Sequence, residues 1–198
     1  MLNLPNLLTL SRIFIIPIVI GLFYWDGPTT RWVMVGLFTI ACITDFFDGY
    51  LARRSNQVSS FGRFLDPIAD KLLIAALLLM LVGFERMTVW TYPAAVIILM
   101  RELSVSGLRE FLAQAQVSVP VTSLAKWKTT LQMITLGFLI VGKDAPNWIP
   151  AQMIGEIGLW LAAVLTLITG YDYFKAGLKH MREPDPKNAV SADEKIAE

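Results

Sequence analysis

The chain has 198 residues, about one domain by length, and a net charge of +1. Hydrophobic residues make up 55% and charged residues 17%, with a mean hydropathy of +0.56. This is more apolar than an ordinary water-soluble domain, and so small a net charge supplies no bulk field for nucleic acid.

The apolar residues fall in blocks of about twenty, enough for a helix to cross roughly 30 Å of hydrocarbon. Six spanning helices are expected, over 7–25, 31–53, 67–87, 89–113, 122–142 and 148–173. Met1 to Leu10, with Asn3, Pro5 and Asn6, reads as a segment lying along the interface. It has no basic n-region, and no small-residue cleavage site follows the first apolar block, so a removable signal peptide is not expected. Pro17 is expected to kink the first span. Asp26-Gly27-Pro28 and Ala145-Pro146-Asn147 are breakers between spans. Residues 1–182 thus form one membrane domain, and the polar stretch 183–198, with Pro184 and Pro186, reads as a disordered tail.

Six spans put both termini on one side, and loop charges choose that side. Arg53, Arg54, Arg63, Arg109, Lys175, Lys179, Arg182, Lys187 and Lys195 fall on the side of the termini, against Arg31, Arg86 and Lys143 opposite. Nine against three places the termini and the loop after the second span in the cytoplasm.

The informative stretch runs from Thr44 to Lys71. Asp45, Asp48, Gly49 and Ala52 stand at i, i+3, i+4 and i+7, one face of a helix. Gly49 and Ala52 leave room on that face for close approach of a ligand or another backbone. Asp66 and Asp70 share a face of the next helix, at i and i+4. Four carboxylates so placed must be partly protonated or must hold cations between them. Oxygen-only donors suit hard ions such as Mg2+ or Mn2+, and two such ions can clamp a diphosphate. Taken singly, each aspartate also reads as a helix cap or an ion-pair partner of Arg53, Arg54, Arg63 or Lys71. A cation-coupled or proton-coupled transporter is the competing class, but transporters favour repeated halves and sites at the bilayer midplane. No repeat is visible here, and the aspartates gather toward one face of the membrane.

The pattern Asp45-x2-Asp48-Gly49-x2-Ala52-Arg53-x8-Gly62-x3-Asp66-x3-Asp70 resembles the signature of the CDP-alcohol phosphatidyltransferases. Leu4-Pro5-Asn6-Leu7-Leu8-Thr9-Leu10-Ser11-Arg12 is similar to the family's N-terminal segment. Arg101-Glu102, Gly107-Leu108-Arg109-Glu110 and Lys126-x-Lys128-Thr129-x2-Gln132 resemble the branch that makes phosphatidylglycerophosphate, with Ala125 where that branch usually has glycine. The resemblance implies an all-α, six-span enzyme around a polar cavity open to the cytoplasm, a homodimer in the bacterial inner membrane. It implies two divalent cations, Mg2+ or Mn2+, on Asp45, Asp48, Asp66 and Asp70, with Asp70 also the general base. It implies that Gly49, Ala52 and Arg53, with Ser59 and Thr9, hold the cytidine diphosphate of CDP-diacylglycerol. The acceptor hydroxyl would attack the phosphatidyl phosphorus directly, releasing CMP.

Arg101 and Arg109, two turns apart and about 80° around the axis, can line one broad side of a cavity with Lys126 and Lys128. Such a basic cluster suits a phosphate monoester, and sn-glycerol 3-phosphate fits. Phosphatidylglycerol, inositol phosphate and serine are the alternative acceptors. The structural alternative is that Glu102 and Glu110 neutralise the arginines while the lysines snorkel to headgroups. His180, the one histidine, reads as a surface residue, and a lone histidine excludes chemistry that needs a pair. Cys42, the one cysteine, reads as packing and cannot form an intrachain disulfide. Trp25, Trp32, Trp90, Trp148 and Trp160 fall mostly near span ends, as interfacial anchors do. Glu156 has three open roles: a cap, an ion-pair partner, or a residue at the outer interface.

Overall fold

The structure is a computed structural model and describes residues 4–55, 60–114 and 123–182; of these, the side chains of 4–6, 46–55, 60–64, 66, 67, 114, 123, 176 and 179–182 are left out of the description. The expected disorder of 183–198 and the role of Ser59 lie outside the described residues, as do the side chains of Asp48, Gly49, Ala52, Arg53, Asp66 and His180.

The described residues form six α-helices and no strand. These are α1 (Leu4–Leu22), α2 (Pro28–Ser55), α3 (Ser60–Gly83), α4 (Tyr92–Gln114), α5 (Ser123–Val141) and α6 (Ala151–Arg182). Prolines mark several starts. Pro28 opens α2, Pro5 and Pro93 are second in α1 and α4, and Pro150 directly precedes α6. A first-turn proline lacks only an N–H that would have had no intrahelical partner.

Three segments differ from expectation. Residues 4–10 are the opening turns of α1, which continues as helix through Pro17, rather than a separate interfacial segment. Helix α3 begins at Ser60 and passes through Pro67, seven residues before the expected start. Helix α6 runs on to Arg182, nine residues beyond the expected end, because a helix can outlast its apolar stretch.

The core is built where the helices face one another. Leu73, Leu77 and Leu81 repeat every four residues on α3, with Ile74 and Leu78 beside them. They join Phe23 just past α1, Met34 and Phe38 of α2, Ile98 of α4 and Leu136, Leu139 and Ile140 of α5 in one buried cluster. Helix α5 packs most extensively on α6, and α1 packs on α2 and α3. Glycine sets the α5–α6 approach. A Cβ at Gly158 would stand 2.1 Å from the Thr135 methyl, and one at Gly155 would stand 2.7 Å from Leu139 Cγ.

The outward face is apolar as well as the core, and several charged side chains are buried. Phe14, Ile18, Ile40, Leu79, Met100, Leu161 and Val164 point outward, each about half or more exposed. Arg12, Arg31, Arg86, Lys128 and Gln132 are buried. Soluble proteins show the reverse. One helical stretch, Ala151–Lys175, is long and apolar enough by itself to cross a membrane among the described residues. Leu7–Leu22 is apolar but shorter. Helices α2 to α5 carry the charged residues that line the interior, which lowers their average hydropathy.

At the end of the bundle away from Asp45, a second group of charges closes on itself. Arg31 grips both oxygens of Asp26 through Nε and Nη2, at 2.8 and 3.0 Å. Arg86 reaches the same carboxylate at 3.2 Å, and Lys143 lies 3.6 Å away. Arg31 also donates to the Val141 carbonyl and pairs with Asp144, while Arg86 donates to the Ile140 carbonyl and stacks 4.3 Å above Phe23. The three basic residues of the sparsely charged side therefore meet at one acid. Gly142 has φ +52°, and a Cβ there would stand 3.1 Å from the Arg31 guanidinium. Nearby, Glu156 accepts from the Thr88 N–H and hydroxyl at 2.8 Å each, capping the turn Val89–Thr91 that leads into α4. Of its three open roles, the cap is the one it fills.

Candidate active site

Asp45 sits in the C-terminal half of α2 and Asp70 ten residues into α3, and the two meet across Arg12 of α1. One guanidinium nitrogen of Arg12 donates to Oδ1 of Asp45 and to Oδ1 of Asp70, the latter at 2.5 Å. Arg12 is 1% exposed, whereas the aspartate side chains are 35% and 42% exposed. The arginine is therefore sealed behind the carboxylates, and the carboxylates face open space.

That space is a cavity of about 460 Å3. Asp45, Asp70 and Lys71 line one side, and Arg101, Glu102 and Arg109 of α4 line another. Lys126, Lys128, Thr129, Thr130 and Gln132 of α5, with Tyr173 of α6, complete the wall. Five basic side chains thus face two aspartates and one glutamate in the described wall. The excess of positive charge, in a wall built of packed helices, suits an anionic ligand.

Arg101 is fixed from behind. It donates to Thr169 Oγ1 at 2.8 Å, and its guanidinium lies 5.9 Å from the Tyr173 ring centroid. A Cβ at Gly170 would stand 3.2 Å from its side chain, so the small residue lets the arginine lie against α6. Lys128 is buried and paired with Glu102. It does not snorkel outward, and Glu102 pairs with this lysine rather than with an arginine, so the structural alternative does not hold for it. Lys126 and Arg109 are exposed at the cavity edge. Thr129 and Thr130 return their hydroxyls to the Ala125 and Lys126 carbonyls, one turn back.

The structure thus brings together Asp45, Asp70, Arg101, Arg109, Lys126 and Lys128 of the sequence-derived candidates. Thr9 is buried on α1, three residues before Arg12, and is not part of the cavity wall. Asp48, Gly49, Ala52 and Arg53 continue α2 beyond Asp45, and Asp66 stands one turn before Asp70 on α3. Sequence reasoning gave no site role to Arg12 or Tyr173, and offered Lys71 only as an ion-pair partner of an aspartate. Arg12 carried a signal, a charge inside an apolar span, which is costly unless partnered.

The donors present fit a hard divalent cation. Asp45 and Asp70 each bring a carboxylate oxygen to the same nitrogen, and carboxylate oxygen is the preferred ligand of such ions. Among the described residues no group of three or more His, Cys, Asp and Glu side chains is assembled; Asp48 and Asp66 are the two candidates outside that count.

The family profile for CDP-alcohol phosphatidyltransferase matches residues 2–168. A Rickettsia bellii (strain RML369-C) protein named CDP-diacylglycerol–glycerol-3-phosphate 3-phosphatidyltransferase is 53% identical over 178 residues, covering 90% of this chain and 97% of its own. A protein of the same name from Cereibacter sphaeroides is 37% identical, covering 91% of this chain and 98% of its own. One from Bacillus subtilis (strain 168) is 38% identical, covering 88% and 94%.

Proposed function

The chain belongs to the CDP-alcohol phosphatidyltransferase family, and from that premise we propose that it transfers the phosphatidyl group of CDP-diacylglycerol to sn-glycerol 3-phosphate, giving phosphatidylglycerophosphate and CMP. The observation that carries the reading is one cavity in which Asp45 and Asp70 face a basic wall of Arg101, Arg109, Lys126 and Lys128. Relatives of up to 53% identity bear the name of that reaction.

Each group has a task in this reading. Asp70 takes the proton of the acceptor hydroxyl as that oxygen attacks the phosphatidyl phosphorus. Asp45, Asp48, Asp66 and Asp70 hold divalent cations, Mg2+ or Mn2+, two of them by the family resemblance. When bound, such ions supply positive charge to the diphosphate and to the leaving phosphate. Gly49, Ala52 and Arg53, with Ser59, hold the cytidine diphosphate, while the buried Thr9 is left out of that set. Arg101 and Arg109 orient the acceptor phosphate, since a planar guanidinium can pair with two phosphate oxygens. Lys126 and Lys128 add charge around it. Arg12 keeps Asp45 and Asp70 together from behind, so the carboxylates do not drift apart between turnovers.

The same reading makes the bundle a six-span protein of the bacterial cytoplasmic membrane, with termini and cavity on the cytoplasmic side, and a homodimer. The outward apolar side chains and the buried charges support the membrane part. The count of basic residues in the loops supports the orientation.

The test is release of CMP by the purified protein in detergent, with CDP-diacylglycerol and Mg2+ or Mn2+. Release is expected with glycerol 3-phosphate and absent without an acceptor. Release with phosphatidylglycerol, inositol phosphate or serine, and none with glycerol 3-phosphate, would reassign the acceptor. No release with any of them would overturn the reading.

A further inference from the structure

The hydroxyl donors of α5 near the polar cavity are already committed. Thr129 and Thr130 donate to the Ala125 and Lys126 carbonyls, and Thr135 donates to the backbone carbonyl of Gln132. Lys128 is paired with Glu102. Gln132 stands one turn after Lys128 on the same helical face and is 2% exposed. Its carboxamide oxygen is the exception in this set. Oε1 is buried and accepts no hydrogen bond from the described residues. A buried acceptor left without a donor is costly, and such an atom in a folded protein calls for an explanation.

Gln132 is part of the cavity wall, together with Asp70, Lys71, Arg101 and Lys126. The torsion that turns a carboxamide is broad, so Oε1 can swing to the cavity side without moving the helix. A phosphate dianion cannot be its partner, because both are acceptors. An ammonium could donate, but the basic wall repels a cation. A hydroxyl can donate and carries no charge. Glycerol 3-phosphate has two. The terminal one, the less hindered nucleophile, gives its proton to Asp70, and the arginines take the phosphate. The hydroxyl on the middle carbon has no partner in that assignment. One donor of the ligand and one acceptor of the wall are thus left over in the same chamber.

We propose that Gln132 is a specificity-determining residue for the acceptor, its Oε1 accepting a hydrogen bond from the middle-carbon hydroxyl of glycerol 3-phosphate. The proposal rests on the phosphatidyl-transfer reading and adds how the cavity tells a glycerol phosphate from a simpler alcohol phosphate. A site built to bind a hydroxyl rejects an analogue without it, because the site's own polar group then stays unpaired. Gln132 takes no part in the proton transfer. It fixes the glycerol so that the terminal oxygen, and not the middle one, is presented to Asp70.

The test measures CMP release by the wild type and by Gln132→Met in detergent, with CDP-diacylglycerol, Mg2+ and either glycerol 3-phosphate or 3-hydroxypropyl phosphate. The second acceptor keeps the terminal hydroxyl and the phosphate and lacks only the middle hydroxyl. The wild type should prefer glycerol 3-phosphate by roughly tenfold or more in kcat/KM. Methionine has nearly the size of glutamine and none of its acceptor strength, so in Gln132→Met the preference should fall to about twofold or less. Gln132→Glu keeps an oxygen acceptor at the same reach and should keep the preference, even if both acceptors bind more weakly. A wild type that uses the two acceptors alike would overturn the proposal, with no variant needed. So would equal loss with both acceptors in Gln132→Met, which a packing role predicts, or loss of the preference in Gln132→Glu. A wild type that releases no CMP with either acceptor would instead sink the phosphatidyl-transfer reading, so the two failures are distinguishable.

Discussion

The bundle buries charge at both ends, with opposite results. At the Asp26 end, Arg31, Arg86 and Lys143 converge on one carboxylate, and backbone carbonyls and Asp144 take the remaining donors. A pocket of about 460 Å3 lies beside Lys143 and Glu156, but Asp26, Arg31 and Arg86 are not in its wall. At the Asp45 end, Arg12 and Lys128 are also paired, but Lys71, Arg101, Arg109 and Lys126 line a cavity. The same residue types make a clamp in one place and a candidate active site in the other. What separates them is whether the helices leave room between the charges.

The comparison can be broken most sharply at Asp70. Asp70→Asn keeps the size and a polar contact to Arg12 but removes the base, so turnover should fall by about 100-fold to 10,000-fold. Thermal unfolding should shift little. A large loss of stability with partial activity would make Asp70 a clamp residue like Asp26. Arg109→Ala comes next. Losing a charged hydrogen bond to the acceptor phosphate should raise the acceptor KM by roughly 10-fold to 100-fold, with a smaller change for the CDP-lipid. Equal weakening of both would remove Arg109 from the acceptor site.

The clamp end should respond in stability and not in kinetics. Asp26→Ala leaves Arg31 and Arg86, both buried, without their shared partner, at a cost of about 1–3 kcal/mol. Activity per folded molecule should be unchanged. Gly158→Ala drives a methyl into Thr135 and should cost a similar amount, about 1–3 kcal/mol, read as a lower melting temperature in detergent.

The smallest effect is in pH. The Arg31 hydrogen bond, with the charges of Arg31, Arg86 and Lys143, lowers Asp26 from 3.8 to about 2. A carboxylate lowered in the folded state adds stability that is fully present above its unfolded value and is lost as pH falls through the folded one. The stability curve should therefore be flat above pH 4 and decline toward pH 2. The carboxylate is 46% exposed, so solvent screening keeps this contribution modest. Asp26→Asn should remove the decline without altering the rate at neutral pH.

Much of this was legible in the chain. The i, i+3 and i, i+4 spacing of the aspartates determines a shared helical face, and α2 and α3 are helical through those positions. The apolar blocks locate six helices because burial in lipid or protein demands them. Where reading failed, a local signal stood for a different event. Pro67 looked like a start, yet α3 begins at Ser60. The end of apolar character near Tyr173 looked like the end of a helix, yet α6 continues in polar residues to Arg182. Arg12 had no visible partner because its acids lie 33 and 58 residues away, and Glu156 caps a turn 68 residues before it.

By itself the sequence determined the helical period, the identity of the charged groups and the faces on which they stand, because these follow from spacing along one helix. Only the tertiary structure decided which charges close on one another and which border a cavity. Those outcomes depend on how closely separate helices approach, which is set by contacts between residues far apart in the chain.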